Sequence, residues 1–496
     1  RQLIFKFVYL FSFFLEILRL FLITSMKQSA KEAILNFSYV FLSQGFSLIL
    51  SISLSFIVPK ILGIEEFGYW QFFLFLSSYV GFFHLGLLDG IYLRYGGKSF
   101  SDVNNSLLHS QFRILFFLEL IVGLFVTLFA LFCSNDLHKK SILIFASIYL
   151  ILSNLSTFFG TVFQAFNKMK LFSISAVIDK VVFLVFLFFL FSFQVKNSEY
   201  YIFFYVIARL FGLIYSIYHG KVILFTKALD FKKSLIEFKE NIAVGSLLML
   251  SNIAGMLVLG VGRYLIEKTW GIVIFGKISL SLSLTAFFLL FISQVSIVLF
   301  PLLIQRGSEQ QKKVYVVGLD FLNIILNGIF LFFPIVVLFI KVWLPSYADS
   351  ITYFVILLPL CLFDGKMQIL FSTYMKILRK EKLLLLFNII SLILVTLFSI
   401  IGVMMKNLNF VLFSMTIAVA IRSIIIETYL SNFFGLSSFK KTVYNIFLSV
   451  LFCYVMIAFE PIKGFVVFLS FYVLYLILIK KEIIHIVSFI KELKAK

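Results

Sequence analysis

Charged side chains inside long apolar runs are the residues of this chain that could do chemistry. At the centre of a bilayer each would cost about 2.5 to 3.5 kcal/mol, so each suggests a function. A guanidinium binds phosphate oxygens in pairs and an ammonium binds them as a point charge. Such cations facing one cavity would therefore suit a substrate that bears phosphate. The candidate binding cations are Arg94, Lys180, Arg209, Arg263, Lys277, Lys366 and Arg422.

Acidic side chains also lie within the apolar runs, and they could bind Na⁺ or H⁺. The candidates for ion coupling are Asp89, Asp179, Asp320 and Asp364, while Glu119 and Glu427 are further acids in such runs. The alternative is that these carboxylates pair with the cations and fix helix register. Asp364 and Lys366 are two residues apart, about 200° around a helix, so they cannot point the same way.

The spacings typical of soluble enzymes are not present in the sequence. The five histidines form no HExxH pair, and neither GxSxG nor the phosphate-binding GxxxxGK[ST] occurs. Cys133, Cys361 and Cys453 show no CxxC or Cys/His spacing. We therefore expect no metal, no cofactor, no catalytic residue and no ATPase in this chain, and a protein that is not an enzyme.

The composition places these residues in a membrane. The chain has 496 residues, of which 62% are hydrophobic and 13% charged, with a mean hydropathy of +1.08. A soluble protein carries about 25% charged residues. The net charge of +20 is spread between apolar runs, which argues against nucleic acid as a partner. An all-α, polytopic membrane protein is predicted.

About fourteen runs are long enough to span a bilayer as helices, because about 20 apolar residues are needed for each crossing. They are apolar on every face, unlike the alternating strands of a membrane barrel. The runs lie near residues 36–58, 68–94, 114–133, 141–166, 171–193, 200–220, 241–262, 271–303, 314–340, 351–375, 383–405, 408–430, 442–459 and 462–480.

The distribution of Lys and Arg predicts the orientation. With the segment before residue 36 inside, about 26 basic residues fall in inside loops and about nine in outside loops. Cytoplasmic loops carry such an excess, so both termini are expected in the cytoplasm.

Polar connections and a weak repeat suggest the organisation. KILGIEEFGYW (60–70) aligns with RYLIEKTWGIV (263–273) at an offset of about 203 residues, which pairs Gly68 with Gly271. The expected units are a weak apolar segment, 1–25, interpreted as upstream sequence; an N-terminal lobe, 26–220; a cytoplasmic amphipathic linker, 221–240; a C-terminal lobe, 241–430; and two extra helices with a basic tail, 431–496.

Residues 38–97 contain the motifs Leu62-Gly63, Glu66-Phe67-Gly68 and Leu85-Gly86-Leu87, followed by Arg94, and the second half has an echo at Gly271 and Phe300-Pro301. With these motifs the stretch resembles the opening of Wzx-type polysaccharide (O-antigen) flippases. These belong to the polysaccharide transporter family of the multidrug, oligosaccharidyl-lipid and polysaccharide exporter superfamily. The resemblance implies two six-helix lobes around a central cavity, followed by two C-terminal helices.

The resemblance also implies a function. Such proteins move undecaprenyl-diphosphate-linked oligosaccharides across the bacterial cytoplasmic membrane by alternating access, without ATP hydrolysis. The implied partners are that substrate, membrane lipids, and the polymerase and chain-length proteins of the same pathway. Arg94 and Arg263 are carried over as cavity cations.

Three other functions remain open at this point. A peptidoglycan-precursor flippase shares the lobe plan and the cationic cavity. A multidrug exporter of the same superfamily would present acidic groups to cationic drugs, which the buried charges here do not favour. A membrane polysaccharide polymerase needs a long external loop to hold catalytic groups, and the outside loops are about ten residues or fewer.

Overall fold

The fold is built from helices alone in the part of the chain that the structure describes. The computed structural model describes residues 45–47, 49–97, 103–133, 135–304 and 308–495. The predicted upstream segment, 1–25, lies outside these residues. The α-helices are α1 Val58–Ser77, α2 Leu87–Tyr95, α3 Asn105–Cys133, α4 Leu137–Ala165, α5 Met169–Ser175, α6 Ile178–Ser192, α7 Ser198–Leu224, α8 Phe231–Ile304, α9 Ser308–Gly328, α10 Phe333–Trp343, α11 Ser350–Leu357, α12 Leu360–Lys366, α13 Ser372–Ile377, α14 Glu381–Met404, α15 Leu408–Phe433, α16 Phe439–Ala458, α17 Pro461–Leu478 and α18 Lys480–Ala495.

Short helices of other types break or extend several of these elements. Two π-helices, Ser53–Ile57 and Met367–Phe371, precede α1 and α13. The 3₁₀-helix Val80–His84 separates α1 from α2, and Ile329–Phe332 joins α9 to α10. A third 3₁₀-helix, Pro345–Tyr347, leads into α11.

Two glycines turn the chain back on itself inside α1 and α8. Gly63 has φ 75° and ψ 179°, and Gly271 has φ 80° and ψ 179°, a conformation that is essentially limited to glycine. Arg263 Nη2 donates to Ser279 Oγ over 3.0 Å, although the two residues are sixteen apart in sequence. A straight helix would separate them by about 24 Å. We call the parts of α8 before and after Gly271 α8a and α8b, and those of α1 around Gly63 α1a and α1b.

These turns explain the number of spans. Twelve helical segments of the described residues are long and apolar enough to cross a membrane, and two of them, Gly45–His84 and Phe231–Leu289, contain 40 and 59 residues. One crossing needs only about 20 residues, so each of the two folds at its glycine into two spans. The count becomes fourteen, as the sequence predicted. The second of the fourteen, residues 64–95, is interrupted at Val80–His84, and we call it the broken second span.

The structure contains the predicted internal repeat, but the predicted alignment of its two copies is wrong by five residues. The turn glycines are Gly63 and Gly271, which gives an offset of 208 rather than 203. At this offset GIEEFG (63–68) matches GIVIFG (271–276). The predicted alignment paired the turn glycine of one copy with the packing glycine of the other, because it was anchored on the aromatic residues Phe67 and Trp270.

The two copies touch each other in a symmetric way. A Cβ on Gly68 would lie 2.5 Å from Ile272 O, and a Cβ on Gly276 would lie 3.2 Å from Ile64 O and 2.9 Å from Gly68 Cα. Ile64 and Ile272 are equivalent at the offset of 208, as are Gly68 and Gly276. The helices α1b and α8b therefore cross almost backbone to backbone, related by a local two-fold axis. We call the end of the bundle with both turns the hairpin face, and the opposite end, which carries Arg94 and Lys168, the basic face.

Aromatic side chains form much of the interior in both halves. Trp70 is fully buried and stacks with Phe183 at 5.9 Å between ring centroids. In the second half, Phe330 stacks on Phe452 of α16 at 4.7 Å and meets Phe468 of α17 edge to face. The two C-terminal spans thus pack onto the second half where the 3₁₀-helix Ile329–Phe332 joins α9 to α10.

The predicted linker, residues 221–240, is divided between the end of α7, a short connection and the start of α8. α7 continues to Leu224, and α8 begins at Phe231 and runs into the seventh span without a break. Ser110 Oγ accepts a hydrogen bond of 2.8 Å from Leu229 N, so the intervening turn is tied to α3. The connection between the halves is therefore short and held to the first half.

Candidate functional site

A cavity with charged and polar side chains on its wall lies inside the first half of the chain. Its volume is about 360 Å³, and it is bounded by the first span and by α4, α5, α6 and α7. The charged residues on its wall are Asp179, Lys180 and Arg209, three of the predicted site residues. The uncharged polar side chains on the wall are Tyr149, Ser156, Thr157, Thr161, Gln164, Ser175 and Tyr205.

A break between two helices places Asp179 and Lys180 on this wall. α5 ends at Ser175 and α6 starts at Ile178, with Ala176 and Val177 between them. Asp179 therefore lies in the first turn of α6, where the helix dipole favours a negative charge. Its Oδ1 accepts a hydrogen bond of 2.9 Å from Lys180 N. The backbone of α6 thus holds the Asp179 carboxylate in place.

Arg209, on α7, is held by a set of oxygen atoms. Its Nη1 donates to Asp179 Oδ2 over 2.7 Å. Its Nη2 donates to Thr157 Oγ1 over 3.1 Å and to both O and Oγ of Ser153 over 3.3 Å. Nε has no hydrogen-bond partner among the described residues. The guanidinium plane is therefore fixed at the cavity wall, with most of its donors satisfied by the protein.

Lys180 forms no ion pair within 4.0 Å among the described residues. Its Nζ donates to Ser47 Oγ of the first span over 2.7 Å, and an ammonium has three N–H donors. The adjacent carboxylate, Asp179, is already paired with Arg209. Two cations and one anion leave the wall with one excess positive charge, which favours an anionic group inside the cavity.

The other predicted cations lie elsewhere. Arg94, at the end of α2, binds Glu237 and Glu240 of α8a over 2.6 and 2.7 Å at the basic face. Arg263 lies between Phe75 and Phe275, 4.9 and 5.1 Å from their ring centroids. Each of these two is thus engaged by protein groups outside the cavity.

Three more cations form ion pairs within the second half. Lys277 binds Asp349 over 2.5 Å, Lys366 binds Glu427 over 2.6 Å, and Arg422 binds Asp364 over 2.8 Å. Lys366 and Asp364 therefore have different partners, as their 200° separation predicted. Of the seven predicted cations, the structure brings only Lys180 and Arg209 to the same cavity.

Three of the four predicted coupling acids are paired. Asp179 binds Arg209, Asp364 binds Arg422, and Asp320 binds Lys441 over 2.5 Å. Asp89, on α2, forms no ion pair within 4.0 Å among the described residues; Lys376, on α13, acts on it electrostatically. Asp89 and Lys376 thus face each other from different halves near the basic face.

The sequence profile of one protein family matches more than half of the chain. Residues 33–307 match the family described as "Polysaccharide biosynthesis protein". The chain belongs to this family. No curated protein matches it closely enough in sequence to be counted as a relative. The predicted family resemblance, which placed the chain among polysaccharide transporters, is confirmed at the level of this family.

Solved structures share the fold of this family member. A structure described as "Lipid II flippase MurJ, inward closed conformation" is 14% identical, covers 93% of this chain and 99% of its own, and has a TM-score of 0.64. An inward-facing multidrug resistance MATE family transporter of the MOP superfamily is 12% identical, covers 79% and 94%, and has a TM-score of 0.61. At these identities the likeness concerns the fold alone, and it confirms the prediction of an all-α, polytopic membrane architecture.

Several residues of interest in this family member were not among the predicted site residues. Ser47, Ser153 and Thr157 hold the two cavity cations, but single hydroxyls in apolar runs carry no signal in one sequence. Lys376, in α13, was not among the predicted cavity cations. Glu119 was noticed as a buried acid, but its surroundings could not be read from the sequence.

Proposed function

We propose that this protein is a flippase that moves an undecaprenyl-diphosphate-linked oligosaccharide, such as an O-antigen or capsule repeat unit, across the bacterial cytoplasmic membrane. The observation that carries the proposal is the excess positive charge of the cavity at Lys180 and Arg209. Membership of a polysaccharide biosynthesis family supports a substrate of this class.

The chemistry of the cavity supports binding of the polar head group. Lys180 meets the diphosphate as a point charge, and Arg209 adds to the positive potential. Serine, threonine, glutamine and tyrosine side chains on the wall can donate to and accept from sugar hydroxyls. A volume of about 360 Å³ is within the range of ligand pockets, roughly 300 to 1,000 Å³. In this proposal the lipid tail stays in the bilayer.

Contacts between the halves support alternating access. At the hairpin face, Lys139 of α4 pairs with Glu267 of α8a, and Tyr347 Oη donates to Gly63 O over 2.9 Å. At the basic face, Arg94 joins α2 to Glu237 and Glu240. In the proposed cycle, these polar contacts open at one face at a time as the lobes 26–220 and 241–430 rock, without ATP hydrolysis.

The membrane, orientation and partners belong to the same proposal. We place the protein in the bacterial inner membrane with both termini in the cytoplasm, so that the basic face is cytoplasmic, in accord with the excess of inside Lys and Arg. Na⁺ or H⁺ could drive transport. The polymerase and chain-length proteins of the pathway are proposed partners.

A peptidoglycan-precursor flippase is the second candidate function, since a diphosphate head group would satisfy the same charges. A solved structure with this fold is described as a lipid II flippase. A multidrug exporter is disfavoured because the cavity repels cationic compounds. The transported sugar distinguishes the first two.

Deletion of the gene that encodes this chain, followed by complementation, tests the proposal. Wild type is expected to restore surface polysaccharide, while K180A and R209A at matched membrane levels are expected to lose most of it. Lys463 is an exposed lysine that pairs with exposed Glu460, so K463A is the control and should complement fully. Normal surface polysaccharide in the deletion strain would contradict the function, and full complementation by both cavity variants would contradict the site.

A further inference from the structure

Glu119 is a carboxyl that is completely buried in the first half of the chain. It lies in the middle of α3, and its exposed fraction is 0%. Both carboxylate oxygens lack a hydrogen-bond partner among the described residues. In contrast, Asp179, Asp320, Asp364 and Glu427 each bind a cation. Among the buried acids of the described residues, Glu119 is thus the one that forms no ion pair.

The polar side chain that approaches Glu119 is Asn154, on the facing helix α4. Asn154 is also buried, and its Nδ2 donates to Val80 O over 2.9 Å. Val80 begins the 3₁₀-helix that interrupts the broken second span. Leu85 and Gly86 follow with φ values of 55° and 85°, and a left-handed conformation at leucine is strained. Asn154 therefore stands between Glu119 and a strained break.

No charged group balances Glu119 from the elements that pack against α3. Burial and Asn154 are the influences that act on this carboxyl. None of the acidic, basic or histidine side chains on those elements acts on it. They are His84 in the break; His138, Lys139 and Lys140 on α4; Glu199, Arg209, His219 and Lys221 on α7; and Lys232, Lys233, Glu237, Lys239 and Glu240 at the start of α8.

We propose that Glu119 is a proton-binding site whose occupancy controls the break in the second span. An ionised carboxylate in apolar surroundings without a partner is costly, and a bound proton removes the charge. The protonated carboxyl can donate to Asn154 Oδ1, which leaves Nδ2 on Val80 O. The ionised carboxylate has no proton to donate to Oδ1 and instead draws one of the two N–H groups of Nδ2 toward itself. This turns the amide and strains its bond to Val80 O. Loss of the proton therefore loosens the contact that holds the break.

The break matters because the broken second span touches the other half on both sides of it. Before the break, Gly68 packs against Ile272 of α8b. After it, Gly86 and Gly90 pack against the backbone of α8a at Gly245 and Asn241, and Arg94 binds Glu237. A change in the angle at the break moves these two contacts relative to each other. The proton on Glu119 is thus linked to the position of one half against the other.

Infrared spectroscopy and hydrogen exchange of the full chain in lipid nanodiscs test this proposal. Neither method measures transport, so a negative result here is distinguishable from a negative result for the proposed function. At neutral pH, wild type should show a protonated-carboxyl band that E119Q lacks. E460Q makes the same change at an exposed acid and should keep the band. As pH rises, amide exchange in residues 78–90 should increase several-fold in wild type relative to E119Q at the same pH.

Two further variants complete the test. N154A should keep the carboxyl band but lose the pH-dependent difference in exchange, because the link to Val80 is gone. E119D should show a shifted band, which assigns the band even if E119Q does not fold. An unchanged band in E119Q and E119D, or the same pH dependence of exchange in wild type and N154A, would overturn the proposal.

Discussion

Charged residues in the spans of this protein are mostly neutralised by partners far away in sequence. Lys366 and Glu427 show the extreme case, with side-chain exposures of 1% and 0%. Thr442 Oγ1 donates to the second carboxylate oxygen over 3.2 Å. This pair joins α12 to α15 in a region where an unpaired charge would be costly.

Removing one member of this pair should destabilise the protein strongly. Breaking a buried pair leaves an uncompensated charge and costs about 3 to 5 kcal/mol. We expect K366M to lower the free energy of unfolding by about 3 kcal/mol, measured by denaturant titration in detergent. The double variant K366M/E427Q should recover most of the loss. A double variant less stable than K366M would contradict this account.

The sequence predicted which charges lie inside spans but not what they bind. Asp364 and Lys366 were correctly assigned to different directions because helical geometry fixes that angle. Their partners, Arg422 and Glu427, lie on another helix, and packing between distant helices is not encoded in local spacing. Lys180 and Arg209 meet only because α5 and α6 are separated by a break that composition does not reveal.

At the scale of elements, two pairs of equivalent glycines decide how the halves meet. Gly68 and Gly276 let α1b and α8b approach to backbone contact, while Gly63 and Gly271 make the turns that precede them. The sequence contained this information as the repeated pattern Gly-Ile-x-x-Phe-Gly. Alignment by aromatic residues missed it, because apolar helices rich in aromatic side chains align with one another in several registers.

A methyl group at the crossing should force the helices apart. In G68A the new Cβ would lie 2.5 Å from Ile272 O, a backbone atom that cannot rotate away. We expect a clear fall in the melting temperature of the detergent-solubilised protein. Gly160 is the control, because a Cβ there would lie 3.7 Å from its nearest neighbour, Ser175 Oγ. G160A should be neutral or stabilising, since alanine favours helix by about 1 kcal/mol over glycine. Equal melting temperatures for the two variants would show that the crossing tolerates a side chain.

At the scale of the whole molecule, polar contacts join the halves at both faces. Lys139–Glu267 links α4 to α8a at the hairpin face, and Arg94–Glu237 links α2 to α8a at the basic face. Hydropathy and charge were sufficient to predict the fold class and the number of spans, because lipid imposes both on the sequence. They could not predict these contacts, which depend on how the halves are placed.

Joining the halves covalently at the hairpin face should stop transport. In a background with Cys133, Cys361 and Cys453 replaced by serine, K139C/E267C treated with a short bifunctional thiol reagent is expected to lose surface polysaccharide export. His138 and Glu199, 3.7 Å apart, lie within the first half, so H138C/E199C is the matched control and should remain active. Export that persists through complete cross-linking of K139C/E267C would exclude rocking at this face.

The paired contact between Gly68 and Ile272, and between Gly276 and Ile64, has a consequence for the origin of the chain. Such a contact is isologous: each copy presents the same patch to the other, as subunits do in a two-fold homodimer. Six spans separate the copies, so both keep the same orientation and the axis runs along the membrane normal. A six-span chain with a single Gly-Ile-x-x-Phe-Gly turn would therefore already be self-complementary. Gene duplication and fusion would then have joined two halves that fitted each other from the start, and left each copy free to diverge around its own charges.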